Sequence, residues 1–237
     1  LIRRKMPDER IHLAEDKVFY YLDHVYSNYG WENLKIALSF QREVINNIIP
    51  RVRPDLIHCN DWMTGLIPAV SRRLGIPCLF TIHNIHTKKT FLSTIEDTGI
   101  DAASIWQNLY YELMAYDYWG TRESNPVDLL TSGVFASHFV NTVSPTFLVE
   151  IIEGKHDFVQ PYLKQELSNK WYAGCAAGIR NAPDSSFNPS TDSEIPRRFS
   201  ENDFVRGKIE NKRAFQKRLG LVQDDTAPMF FWPSRLD

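Results

Sequence analysis

Hydrophobic positions in this chain fall into short runs that alternate with longer periodic stretches. Pro54-Asp55-Leu56-Ile57 leads into His58-Cys59-Asn60-Asp61-Trp62, and Ile76-Pro77-Cys78-Leu79-Phe80 leads into Thr81-Ile82-His83-Asn84-Ile85. Short apolar runs of this kind read as buried strands. Met63 to Leu74, between them, predicts a helix, and strand–helix–strand implies parallel strands joined by a right-handed crossover. The first thirty residues are irregular and aromatic-rich. Asn33 is then placed to cap a helix running to about Ile49. That helix is apolar on two faces (34, 37, 38, 45, 48 and 36, 40, 44), as a well-buried helix is, and Pro50 and Pro54 close it.

Downstream, 84–99 reads as loop. Ile105, Leu109 and Leu113 predict a helix over about 102–118 by their i, i+4 spacing. Pro126 is placed to open another, with Val127, Leu129, Leu130 and Val134 inside it. Phe139 to Val143 predicts a strand, and a helix opens at Ser144-Pro145. Residues 173–200 are rich in Gly, Pro, Asn and Ser without a period, a length of loop that points to function. Glu201 to Leu219 is amphipathic and Gly220 stops it. Met229-Phe230-Phe231-Trp232 predicts a last strand. Alternating strands and helices argue an α/β fold.

Polar groups stand at the carboxyl ends of the two early strands, the edge at which open α/β sheets bind ligands. Asp61 and His83 could bind sugar hydroxyls, act as base or hold a metal. Against these stand plainer roles: Asp61 as the cap of the helix near Met63, His83 as a satisfied, partly buried side chain. Trp62 either stacks on a ring or fills a pocket. No third ligand at fixed spacing supports a metal. Neither a Walker loop nor Gly-x-Gly-x-x-Gly is present, and Ser144 lacks the glycines of a nucleophile elbow. Arg235, beyond the last strand, is the best lone phosphate candidate; its alternative is a surface arginine.

Composition narrows the classes. The chain has 237 residues, 43% of them hydrophobic, and a net charge of −2. That excludes disorder and offers no basic field for nucleic acid. No apolar run is long enough for a membrane helix, and Arg3-Arg4-Lys5 follows Leu1-Ile2 where a signal peptide would continue apolar. Cys59, Cys78 and Cys175 fit neither a disulfide framework nor a zinc pattern. They read as small buried hydrophobes in a reducing compartment, so a cytoplasmic protein is expected.

Five ordered segments resemble the bacterial glycogen synthases and plant starch synthases, glycosyltransferase family 5. They are Pro54 to Trp62; Thr81-Ile82-His83-Asn84; Asn141-Thr142-Val143-Ser144-Pro145-Thr146 with Glu150-Ile151; Gly178-Ile179-Arg180-Asn181-Ala182-Pro183-Asp184 with Phe187-Asn188-Pro189 and Thr191-Asp192; and Lys212 to Leu221 with Ser234-Arg235-Leu236. Phe19 to Asp23 with Val25-Tyr26-Ser27 fits the region preceding the first, and Tyr20 or Tyr21 matches a family tyrosine near the nucleotide. The resemblance implies a Rossmann-like parallel sheet with flanking helices, the N-terminal domain of a GT-B glycosyltransferase, truncated at both ends. Residues 1–222 would be that domain without its first strand and Lys-Thr-Gly-Gly loop, and 223–237 the start of the nucleotide-binding second domain.

The implied activity is transfer of glucose from ADP-glucose to the non-reducing end of an α-1,4-glucan, with retention and without a metal or other cofactor. The implied partners are the nucleotide sugar, the glucan and the second domain, with neither nucleic acid nor membrane. By the resemblance, Asp61, His83 and Arg235 are catalytic, and Trp62, Asn84 and Asn181 bind substrate. Arg235 would meet the leaving diphosphate. The chain departs from the family at Asn60 and Met63, which replace histidines, at Thr87-Lys88-Lys89, which replaces a Tyr-Gln-Gly-like stretch, and at Ala182-Pro183, which replaces Gly-Ile. The isolated chain is expected to be inactive. Two rival readings are a catalytically dead glucan- or partner-binding module and another α/β carbohydrate-active enzyme, which would need a carboxylate pair not evident beside Asp61.

Overall fold

The computed structural model describes residues 11–232 apart from 14, 21, 23–25 and 28. After a 3-10 turn (Lys17–Phe19) comes a long helix built from α1 (Gly30–Glu43), one wide π turn (Val44–Ile48) and α2 (Ile49–Val52). Asn33 is not its cap. Tyr29 holds that place, and the Asn33 amide turns back to bond both the N–H and the C=O of Ser27 at 2.8 Å. Nor does Pro50 end it. The Ile49 N–H reaches five residues back to Val44. This wide turn carries the chain past a proline that would otherwise clash with the preceding turn. The helix ends instead at Arg53, left-handed at φ 50, with Pro54 after it.

The strands are β1 (Ile57–Asn60), β2 (Cys78–Ile82), β3 (Lys89–Thr90), β4 (Val127–Asp128), β5 (Phe139–Thr142) and β6 (Ala176–Gly178). Four of them form a parallel sheet in the order β1-β2-β5-β6, with Asn60 beside Thr81, Thr81 beside Asn141 and Asn141 beside Ala177. The expected α/β fold is therefore present. Between β1 and β2 the predicted helix is split into a 3-10 turn (Trp62–Thr64) and α3 (Ile67–Leu74).

Residues 84–128 depart most from the pattern. Within the expected loop lie β3 and α4 (Leu92–Asp97). The helix expected over 102–118 is instead two 3-10 turns, Ala102–Ser104 and Trp106–Asn108, and a short α5 (Tyr118–Thr121). Ile105 and Leu109 are buried as their spacing requires, but Leu113 is 66% exposed. The backbone of 110–112 is taken up elsewhere: Tyr110 N–H bonds Ser132 Oγ, Glu112 N–H bonds Pro126 O, and Asp128 N–H bonds Tyr110 O. Groups paired across the chain cannot also close helical turns. Pro126 likewise precedes β4, which pairs antiparallel with β3, rather than opening a helix. The next helix, α6 (Leu129–Ala136), is capped by Asp128, which accepts the Thr131 N–H at 2.8 Å.

Ser144 caps α7 (Pro145–Glu153) as expected. α8 (Pro161–Tyr172) and β6 were not evident in the pattern; β6 is three small residues inside the irregular 173–200 stretch. α9 (Phe204–Arg218) fits the amphipathic run. Residues 229–232 form no strand, and Phe230 and Trp232 are almost fully exposed. An extended run with no neighbour to pair with has nothing to satisfy its backbone. The chain divides into two compact units, Leu1–Asn181 and Ala182–Asp237. The family boundary expected at 222–223 falls inside the second. There α9 packs its Asn211 against both backbone groups of Arg197.

The two faces of the sheet differ. Cys59, Phe80, Ile82 and Val140 point to one face and are almost wholly buried. α3 packs on β1 and β2, and α8 on β5 and β6. The Cys78 thiol, 4.0 Å from Cys59, and burial hold the Cys59 thiol far above its ordinary pKa, so it stays protonated and inert. The other face carries a polar network beside Leu79 and Phe139. His58 Nε2 lies 2.7 Å from Thr81 Oγ1, which donates to Asn141 Oδ1 at 2.6 Å.

Two predictions follow from this packing. A Cβ on Gly133 of α6 would lie 2.3 Å from the tip of the Phe80 ring. Helix propensity alone favours alanine by ~1 kcal/mol, but overpacking costs about 1–3 kcal/mol; Gly133→Ala should therefore destabilise in urea unfolding. His138 Nδ1 accepts the Cys78 N–H at 3.1 Å. Partial burial and the nearby Arg72 and Lys170 charges hold its pKa below the usual value. The unfolded chain then binds the proton more readily, so stability should fall as pH drops below about 6.5. His138→Asn, whose oxygen can accept the same N–H, should flatten that slope in denaturant titrations across pH.

Candidate functional site

The site lies where β1 and β2 end. The ladder continues one step past the strand, with Asp61 N–H bonding Thr81 O at 3.0 Å. Asp61 then turns sharply, at φ 54 and ψ 180. That conformation borders a region almost exclusive to glycine and costs about 1–3 kcal/mol for other residues. Its effect is to swing the carboxylate across to β2. Asp61 Oδ1 accepts the His83 N–H at 2.8 Å and, weakly, the Asn84 N–H at 3.5 Å. The capping role weighed for Asp61 is thus not the one it takes, since it makes no cap bond to the turn that follows. Oδ2 has no hydrogen-bond partner among the described residues.

His83 is exposed, and its Nε2 lies 3.0 Å from Asn60 Oδ1. An amide oxygen can only accept, so Nε2 carries the proton and Nδ1 is the free acceptor. Asn60, a departure from the family pattern, therefore sets the tautomer of the ring. Sequence reasoning marked Asn60 as a deviation and missed this part; its place two residues beyond His58, on the same strand face, was the available signal. Asn84 is exposed and closes a small turn by accepting the His86 N–H at 2.9 Å. Trp62 is buried in the core, so its ring fills a pocket beneath the site and presents no open stacking face.

Asn181 stands three residues past β6 on the same carboxyl edge and is exposed. A Cβ on Gly178 would strike Pro145 at 2.2 Å, so only glycine lets β6 leave so close beside α7. No described hydrogen bond joins Asn181 to Asp61 or His83. Tyr20 is exposed. Tyr21 and Arg235, with Ser234 and Leu236 around it, lie outside the described residues. Among the described residues no group of three His, Cys, Asp or Glu is arranged to hold a metal, and no helix is long and apolar enough to cross a membrane.

The starch synthase catalytic domain family matches residues 4–164, a span that includes this whole arrangement around Asp61 and His83. The chain belongs to that family. Its relatives include the glycogen synthase of Lachnoclostridium phytofermentans, 30% identical over 93% of this chain and 45% of that protein. That of Lachnospira eligens is 30% identical over 92% and 46%, and that of Rhodopirellula baltica 31% over 77% and 35%. The chain thus spans less than half the length of these curated relatives. Among solved structures it resembles the catalytic domain of starch synthase IV from Arabidopsis thaliana bound to ADP and acarbose. The TM-score is 0.63 at 25% identity, over 86% of this chain and 40% of that one. Family membership and fold agree on a Rossmann-like glycosyltransferase domain.

Strain at Asp61 can be measured. Asp61→Ala and Asp61→Gly both remove the carboxylate, but only alanine keeps the backbone penalty. Asp61→Gly should be the more stable by about 1–3 kcal/mol in denaturant unfolding. Equal stabilities would show that the turn is unstrained.

Proposed function

We propose that this chain is the N-terminal part of a retaining glycosyltransferase that passes glucose from ADP-glucose to the non-reducing end of an α-1,4-glucan, without a metal. Residues 1–222 would form its N-terminal domain and 223–237 the start of the nucleotide-binding domain. The observation that carries this reading is the family match over a segment whose two signature strands end side by side, with the Asp61 carboxylate accepting the His83 backbone N–H. The resembling starch synthase was solved with a nucleotide and a saccharide, ADP and acarbose, which is the ligand pair this reading requires. The three cysteines carry no disulfide, which fits a cytoplasmic setting.

In this reading Asp61 Oδ2 accepts a donor-glucose hydroxyl and His83 Nδ1 accepts another, each held in place before substrate arrives. Asn84 and Asn181 contact the sugar from the same sheet edge, and Trp62 supports the pocket from below. Arg235 meets the leaving diphosphate with its fork of donors. Preorganised polar groups of this kind act on charge that develops in the transition state.

The test is incorporation of labelled glucose from ADP-glucose into glycogen. The full-length protein should incorporate it, and the 237-residue chain, less than half the length of its relatives, should not exceed background. In the full-length protein Asp61→Asn and His83→Ala should each lower kcat by about 10²-fold or more, the scale of losing one such contact. Full turnover by Asp61→Asn would remove the assigned site. No turnover by the full-length protein would favour a glucan-binding module that lacks catalysis.

A further inference from the structure

The amino edge of the sheet, opposite the strand ends that carry Asp61 and His83, gathers positive charge. Three basic side chains from three elements meet there around the turn that follows α6. Arg72 stands in the last turn of α3, His138 just ahead of β5 and Lys170 in the last turn of α8. Arg72 Nε donates to Ala136 O at 2.9 Å, and Lys170 Nζ donates to the next carbonyl, Ser137 O. His138 Nδ1 accepts the Cys78 N–H at 3.1 Å. A ring nitrogen that accepts carries no proton, so the neutral ring holds its proton on Nε2, as a donor.

Capping explains part of this cluster. Cations near the last carbonyls of a helix answer its dipole, and α6 ends at Ala136. That role uses only Nε of Arg72 and one N–H of Lys170. The terminal guanidinium nitrogens and the other ammonium hydrogens are spare. Among the described residues no carboxylate forms an ion pair with Arg72, His138 or Lys170.

The three repel one another instead. Burial, then the charges of Arg72 and Lys170, hold His138 below its usual pKa; burial and Arg72 do the same to Lys170. The other titratable groups facing Lys170 are Glu166, one turn earlier on α8, and the thiols of Cys78 and Cys175. Burial raises the pKa of Glu166, which opposes its charged form. Cations are seldom left partly buried without a partner. Lys170 is half-buried, while Arg72 and His138 reach solvent, so the cluster is open to one.

The donors also define the ligand. A guanidinium offers a planar fork of N–H groups, an ammonium is a compact charge, and neutral imidazole adds one N–H. Two fixed positive charges with donors from three elements match a tetrahedral dianion. A phosphate monoester carries about −1.5 to −2 at neutral pH. Chloride or a single carboxylate would leave part of the charge unanswered.

We infer that Arg72, His138 and Lys170 form a phosphate-class anion site at the amino edge of the sheet. Bound there, the anion ties α3, the turn between α6 and β5, and α8 together, at the end of the sheet away from Asp61. The inference does not depend on the glycosyl-transfer reading.

Thermal unfolding and proton NMR of the 237-residue chain, in inorganic phosphate against chloride at matched ionic strength, test it. Phosphate at about ten times its dissociation constant should raise the thermal midpoint by about 3–6 °C. The His138 ring protons should shift saturably, and the ring should titrate at higher pH, because the anion offsets the repulsion from Arg72 and Lys170. Arg72→Gln lowers the baseline by removing a capping bond, so the reading is the phosphate-dependent increment. That variant should need about tenfold or more phosphate, the worth of a charged hydrogen bond. Arg73→Gln makes the same charge change on the exposed neighbour and should leave the increment intact. Glycerol phosphate binding as well as inorganic phosphate marks phosphomonoesters as ligands, and binding of inorganic phosphate alone marks the free ion; either result upholds the site. The site falls if chloride stabilises as much as phosphate, or if the increment survives Arg72→Gln. It falls equally if Arg73→Gln abolishes the increment, or if the midpoint rises while His138 does not respond.

Discussion

Parallel pairing of β1, β2, β5 and β6 is the constraint on which the remaining structure depends. Parallel neighbours cannot be joined by tight turns, so each needs a crossover, and the crossovers supply the helices that cover one face. The same arrangement sends every strand's carboxyl end to one edge. Asp61, His83 and the segment leading to Asn181 reach that edge from three strands distant in sequence. The strained turn at Asp61 completes the arrangement by carrying the carboxylate from one strand end to the backbone of the next. A relaxed residue there would leave the carboxylate over its own strand.

The sheet's two faces then divide the chemistry. On the covered face Phe80 is pressed so closely on α6 that glycine is required at 133, and the Cys59–Cys78 pair behaves as packing. On the other face His58, Thr81 and Asn141 form a directed chain of hydrogen bonds across three strands, each donor facing an acceptor. Thr81 and Asn141 are buried, so the chain pays their desolvation back in paired groups. The carboxyl edge inherits this order: Asn60, next along the same face, fixes the proton on His83.

Much of this was legible along the chain. β1, β2, β5, α7 and α9 were evident because each has its own apolar period and a local stop: Ser144 before Pro145, Gly220 after the amphipathic run. That Asp61 and His83 stand at neighbouring strand ends followed from two similar apolar runs and the crossover rule. What failed were stretches whose backbone bonds run to distant partners. Tyr110 to Glu112 satisfy Ser132, Pro126 and Asp128, so the i, i+4 spacing of Ile105, Leu109 and Leu113 did not produce a helix. β6 was hidden because three small residues, Ala176 to Gly178, carry no hydrophobic signal. Asn33 and Pro50 misled because a cap residue can bond outward and a π turn can absorb a proline.

The sequence by itself determined the α/β class, the two strand ends, the family and the residues offered for chemistry, because these rest on local periodicity and short contiguous motifs. Tertiary structure alone decided how those residues are used. It turned Asp61 from a possible helix cap into a bridge to His83, sank Trp62 into the core, and gave Asn60 control of an imidazole tautomer. It also drew Thr87, Thr131 and Tyr162 onto the carboxylate of Asp128. Each of those outcomes depends on a hydrogen bond or contact between residues far apart in the chain, and no local pattern encodes which distant group will arrive.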